Sequence, residues 1–229
     1  MLPLITLRAT PVSRRILSVG VVALAFALLG GAFVAEVAAQ NIFGTDCLPP
    51  PLSTYAGSFH AKYADGTNIY DLSNPEHSKF TGCDLPSPSG CTSHMFGSFV
   101  QADFSVNMGL PMSVNGSGNT RIQVCFDNQN GPTRFFDTEM LQLDISGGPL
   151  MIRESPTLPS LGRTAITDLG GMYRIDSFFD VFTELSLDGG QTWLPSTDAA
   201  GNPYAGRVMI PGTVAVSASS WAKMKVLYK

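Results

Sequence analysis

The stretch Tyr173–Leu187 constrains the fold more than any other part of the chain. Its odd positions (Tyr173, Ile175, Ser177, Phe179, Val181, Thr183, Leu185, Leu187) are mostly apolar. Its even positions (Arg174, Asp176, Phe178, Asp180, Phe182, Glu184, Ser186) are mostly polar. Side chains on a β-strand point to opposite faces in turn, so this period of two sets one row on a core and the other in water. Wound as a helix, the segment would strew Asp176, Asp180 and Glu184 along one face, and its Thr, Val, Ile and aromatic content also selects a strand. At ~3.3 Å per residue the run would extend about 50 Å, which predicts a bend or bulge near Phe178-Phe179.

Thr133–Ser146 carries the same alternation with a slip. Phe136 and Met140 lie in one phase and Leu141, Leu143 and Ile145 in the other, so a one-residue bulge near Met140-Leu141 would return both sets to the inner face. Tyr55–Tyr63 reads as a strand running to the turn Ala64-Asp65-Gly66-Thr67, with Asn68–Leu72 as its return. Phe96–Met108 and Arg121–Phe126 are further strands, with turns expected at Ser113–Asn119 and Asp127–Pro132. Residues 73–95, with Pro75, Pro86, Pro88 and Gly90, read as an irregular, disulfide-clamped loop. The 23 Gly and 16 Pro, with charged residues at 14%, fit turn-rich β structure. Ala215–Met224, the nearest approach to an amphipathic helix, is β-branched and serine-rich. The expected fold is all-β, an antiparallel β-sandwich behind an N-terminal signal helix, with jelly-roll and immunoglobulin-like orders both open. Its domain spans residues 53–229, after an extended proline-rich lead-in at 40–52.

Residues 1–39 read as a secretory leader. Arg14-Arg15 close a basic region, an uncharged apolar run extends from Ile16 to Val34, and Val37-Ala38-Ala39 precede Gln40 as a small-residue cleavage site. An uncleaved anchor is the competing reading, because the run nearly reaches the ~20 residues that span a bilayer. Either way the remainder is expected outside the cytoplasm, secreted or at the cell surface. Without Arg8, Arg14, Arg15 and Glu36 the chain keeps 11 basic against 17 acidic residues. That balance, with no basic cluster, excludes nucleic acid and anionic membranes as expected partners. Cys47, Cys83, Cys91 and Cys125 all follow the leader, and an even number in an exported chain implies disulfides in one of three connectivities. The short Pro- and Gly-containing loop favours Cys83–Cys91, which leaves Cys47–Cys125.

Ser186-Leu-Asp188-Gly-Gly190-Gln-Thr192-Trp193 matches the Asp-box pattern Ser-x-Asp-x-Gly-x-Thr-Trp. It predicts a β-hairpin turn in which Asp188 accepts backbone N–H groups, Gly190 takes a left-handed conformation and the Trp193 indole covers the turn. The motif resembles those of sialidases and other secreted β-proteins, where it repeats away from the catalytic centre. A single copy with no spaced arginine triad points to a structural hairpin. A wider resemblance rests on Phe136-Asp-Thr-Glu-Met-Leu141, Ile152-Arg-Glu-Ser-Pro-Thr-Leu158, Gly162–Gly171 and Ile175–Gly190. These segments look like those of exported bacterial β-proteins of unassigned function, many of which end in a Pro-Glu-Pro sorting tail. The residues Trp221–Lys229 depart from that tail, which implies release, or retention by another means.

No reactive constellation emerges from the remaining candidates. His60, His77 and His94 accompany Cys83 and Cys91 without the tight spacing of zinc ligands, so neither a metal nor a cofactor is expected. Asp137 with Glu139, and Asp176 with Asp180 and Glu184, share strand faces as glycosidase carboxylates could, but a water-facing sheet looks the same. Asn115-Gly-Ser117 is a glycosylation sequon, of use only in a eukaryotic host. The expected role is a non-enzymatic structural or adhesive module of the bacterial cell exterior, with a surface or matrix polysaccharide or protein as its partner. A carbohydrate-binding module with Phe178, Phe182 and Trp193 as its stacking platform is the first alternative, and a glycoside hydrolase the second.

Overall fold

The structure, a computed structural model, describes residues 41–211; the expected leader and Ala215–Met224 lie outside the described residues. Twelve strands make up the regular structure: β1 (Ile42–Phe43), β2 (Tyr55–Ala56), β3 (His60–Ala64), β4 (Ile69–Ser78), β5 (Cys91–Val106), β6 (Met112–Asn130), β7 (Thr133–Gly147), β8 (Leu150–Glu154), β9 (Ser160–Asp168), β10 (Tyr173–Ser186), β11 (Leu194–Pro195) and β12 (Ala205–Met209). Every pairing is antiparallel, and the all-β antiparallel expectation holds. The order β10–β12–β2–β4–β5–β6–β7 continues through β9 back to β10, so the ladder closes on itself. The layers of the expected sandwich are thus joined at their edges into one continuous wall. Its narrowest seam is β2, where Ala56 alone pairs with Met209 of β12.

Alternation decides what fills the ring. Ile175, Phe179, Val181 and Leu185 of β10 are buried, as are Phe136, Met140, Leu143 and Ile145 of β7. Rings from β2, β5, β10 and the segment after β4 meet inside, with Tyr55 against Phe179 and Phe80 against both Tyr55 and Phe96. Inward hydroxyls satisfy one another: Tyr55 Oη donates to Ser177 Oγ at 3.0 Å, and Thr164 Oγ1 lies 2.7 Å from the same atom. Among the described residues, gaps of about 20 and 10 Å³ lie in the interior. It is a packed core and not a ligand chamber.

β7 bulges where its sequence slips. Arg121 pairs with Gln142 and Ile122 with Met140, so Leu141 is the extra residue. The turn Asp65–Asn68 also joins β3 to β4 as expected. Other expectations need correction. Ser113–Asn119 is not a turn but the first part of β6; Gly116 and Gly118 stand there because a Cβ would overlap the Ser146 and Asp144 carbonyls of β7. The turn comes earlier, over Asn107–Pro111. Residues 73–95 are not one loop: β4 runs through Pro75 by means of a register shift, with Asn74 at φ 49°, and only 79–90 are irregular. β10 also passes Phe178-Phe179 without a register shift. What changes along its length is its neighbour, β9 as far as Phe179 and β8 from Thr183.

The cysteines pair as Cys47–Cys83 and Cys91–Cys125, not as their loop composition favours. Cys91 opens β5 directly opposite Cys125 of β6, so the register itself brings the two thiols together. Cys47 reaches Cys83 because Leu48 and Asp84 exchange backbone hydrogen bonds of 2.8 and 3.1 Å. The lead-in is thus built into the fold. Leu48 is buried, its carbonyl lies 3.2 Å from His94 Nδ1, and Asp46 meets Arg134 at 2.6 Å. Among the described residues no helix is long and apolar enough to cross a membrane.

Candidate functional site

The outward row of β10 gathers most of the residues that could carry chemistry. Phe178, Asp180, Phe182 and Glu184 share one face because they are two apart, and the antiparallel register sets Arg207 of β12 opposite Asp180. Arg207 holds that carboxylate with both Nε and Nη2 at 2.7 Å, and its guanidinium lies 4.4 Å over the Phe178 ring. Asp180 in turn raises the pKa of Arg207. Arg153 of β8 repeats the arrangement one step along. It donates to Glu184 Oε2 from Nε at 2.9 Å and Nη2 at 2.6 Å, and stands 4.0 Å from the Trp193 ring.

Asp176 accepts from Asn41 Nδ2 at 2.8 Å and lies 3.4 Å from Arg174. Arg163 of β9 links Asp127 at 2.6 Å with Asp137 at 3.2 Å. Burial raises the carboxyl pKa values of Asp137 and Asp176, while Arg163 and Asn41 respectively pull them back. Of the carboxylates considered for glycoside hydrolysis, Asp137, Asp176, Asp180 and Glu184 are thus tied to cations or amides across the strands. Two of the three proposed stacking rings, Phe178 and Trp193, have a guanidinium over them, and Phe182 lies on the same face as Phe178 beyond Asp180.

Residues 186–193 form the expected hairpin turn between β10 and β11. Ser186 Oγ and Thr192 Oγ1 donate to the Asp188 carboxylate at 2.8 and 2.7 Å, and the amides of Gln191 and Thr192 each reach Oδ1 at 2.9 Å. These bonds hold the carboxyl far below the usual range. Gly189 and Gly190 take φ of 72° and 89°, and the Trp193 indole donates to the Gly190 carbonyl at 3.0 Å. The side chains of Ser186, Asp188, Thr192 and Trp193 thus bond within the turn itself. No known protein family, curated protein or solved structure matches the chain.

The histidines do not converge. His60 faces solvent, 2.8 Å from Asp71. His94 is buried between Leu48 O and Thr92 Oγ1, and His77 is buried edge-on to Phe80. Among the described residues no group of three His, Cys, Asp or Glu side chains is placed to hold a metal. Two features escaped the sequence reading. Glu154, beside Glu139 and Glu184, accepts from Ser160 Oγ at 3.1 Å, and burial pushes its pKa up to about 7. An open groove of about 570 Å³ lies along the β2–β12 seam, walled by Phe59 and Tyr204. Its two sides lie about 150 residues apart in the chain, and no local pattern joins them.

Proposed function

We propose that the chain is a non-enzymatic structural or adhesive module of the bacterial cell exterior, exported by the leader read in residues 1–39. One observation carries this reading: the outward acids of β10 engage arginines and an asparagine across the strands, which stiffens the wall instead of presenting an acid–base pair. Two disulfides fit an oxidising compartment, and a filled interior fits a protein that works through its surface. The test is co-sedimentation of the purified protein with insoluble cell-envelope and matrix material, run beside assays on reactive aryl glycosides. Retention on the solid phase without turnover is expected. A protein that stays in the supernatant and releases aglycone would overturn the proposal.

The second reading is a carbohydrate-binding module, favoured by Phe178 and Phe182 sharing one face of β10 on either side of Asp180. Titration with a broad polysaccharide panel should then change the fluorescence of Trp193, which lies under Arg153 on the same wall. An unchanged signal across the panel discards that reading.

A further inference from the structure

The two disulfides differ in what they hold and in what can reach them. Cys47 is buried, and its bond to Cys83 stands beside the isolated Leu48–Asp84 bridge that fastens the lead-in to the body. Cys91 lies in the exposed row of β5 with Ser93 and Met95, while His94 and Phe96, one step out of phase, are buried. Cys125 is half-buried opposite it on the same outer face of β6. The Cys91–Cys125 bond therefore sits on the outside of the wall, and neither residue belongs to the apolar core.

The ladder beneath this bond is complete without it. β5 and β6 pair without a register shift from Cys91–Cys125 to Phe104–Met112. Hydrogen bonding also continues past the bond on its other side, where Phe126 N donates to Gly90 O at 2.8 Å. Phe126 packs edge-on to Phe136 of β7, and Cys125 pairs with Asp137, whose carboxylate Arg163 of β9 holds at 3.2 Å. A crosslink between directly paired residues adds nothing to a register that the flanking pairs already fix. Loop entropy does not separate the two bonds either, because their spans of 36 and 34 residues are nearly equal. Access separates them. Thiolates attack disulfide sulfurs directly, at rates that follow which sulfur can be reached.

We propose that Cys91–Cys125 is a thiol–disulfide exchange site that takes a low-molecular-weight thiol at Cys91. The incoming thiolate forms an S–S bond to Cys91 Sγ and the Cys91–Cys125 bond breaks. Its electron pair leaves on Cys125 Sγ, which takes a proton from solvent. One disulfide replaces another, so the step needs no oxidant beyond the bond itself. Attack falls on Cys91 because it is the more exposed of the two sulfurs. Cys125 stays opposite it in the ladder and can expel the thiol again, which makes the modification reversible. The barrel remains closed throughout. This goes beyond the structural-module reading and stands independently of it: the outer wall carries a covalent handle whose state follows the thiols around it.

The purified protein with both disulfides intact is treated with 2-mercaptoethanol in the absence of denaturant. Samples are quenched over time with N-ethylmaleimide under mildly acidic conditions, then mapped by peptide mass spectrometry. Mercaptoethanol should appear on Cys91 and maleimide on Cys125, roughly tenfold or more before Cys47–Cys83 opens, since access sets the rate. Circular dichroism at room temperature should keep its β signature, with a lower melting temperature as the mark of the lost crosslink. The variant Cys91→Ser with Cys125→Ser should show the same β signature and take up no thiol over that time. Opening of Cys47–Cys83 first or together with Cys91–Cys125, mercaptoethanol on Cys125 in place of Cys91, or loss of the β signature on exchange would each overturn the proposal. Failure of the double-serine variant to fold would overturn it too, because the bond would then be a structural requirement.

Discussion

His77 is the residue whose chemistry most affects stability. It is buried, no partner for Nε2 occurs among the described residues, and desolvation pushes its pKa down to about 4. A histidine with a folded pKa below the unfolded value of ~6.5 contributes fully above that pH and loses its contribution as pH falls toward the folded value. Acidification from pH 6.5 to 4 should therefore cost about 3 kcal/mol through this group alone. The difference in urea midpoint between His77→Leu and wild type should therefore move in the variant's favour as pH falls across that window. Glu154 works in the opposite sense. Its pKa, pushed up from the usual 4.5 to about 7, gives full stability below 4.5 and loses it as pH rises through 7. Glu154→Gln should raise the melting temperature at pH 8 and leave it unchanged at pH 4. Asp188→Ala, which strips four donors of their acceptor, should lower the melting temperature at neutral pH.

At the scale of strands, the glycines of β6 and the two disulfides control how closely neighbours approach. Gly118 has no room for a Cβ beside the Asp144 carbonyl, so Gly118→Ala should separate β6 from β7 and cost about 3 kcal/mol as an overpacking change. Each disulfide closes a loop of similar span, with separations of 36 and 34 residues, and its loss should cost roughly 4 kcal/mol in the chain-entropy model. Peptide mapping of the unreduced protein should recover Cys47 joined to Cys83 and Cys91 to Cys125. β10 and the Leu141 bulge were legible because each depends only on its own in–out alternation. The Asp-box turn was legible because its donors and acceptor lie within seven residues. Ser113–Asn119 misled because Gly, Asn and Ser suit a turn equally well as a close strand crossing, and only β7 distinguishes the two. The disulfides misled for the same reason: proximity along the chain is not register across a sheet. Of the aromatic platform, the shared face of Phe178 and Phe182 could be read, but not the arginines over Phe178 and Trp193, which arrive from β12 and β8.

For the molecule as a whole, the consequential feature is closure. Return of the ladder from β10 through β12 and β2 to β4 leaves few exposed strand edges, encloses the apolar row from Ile175 to Leu185, and displays the acids of β10 on a braced outer wall. The closing contact is slight, a single residue pair, yet both the groove and the barrel depend on it. Nuclear Overhauser contacts across that seam probe it directly. We expect close backbone contact between Ala56 and Met209 together with the Phe179–Val208 pair on the other side of β12. Contact at Phe179–Val208 with none at Ala56–Met209, and rapid amide exchange along β2, would mean an open sheet and contradict the closed wall.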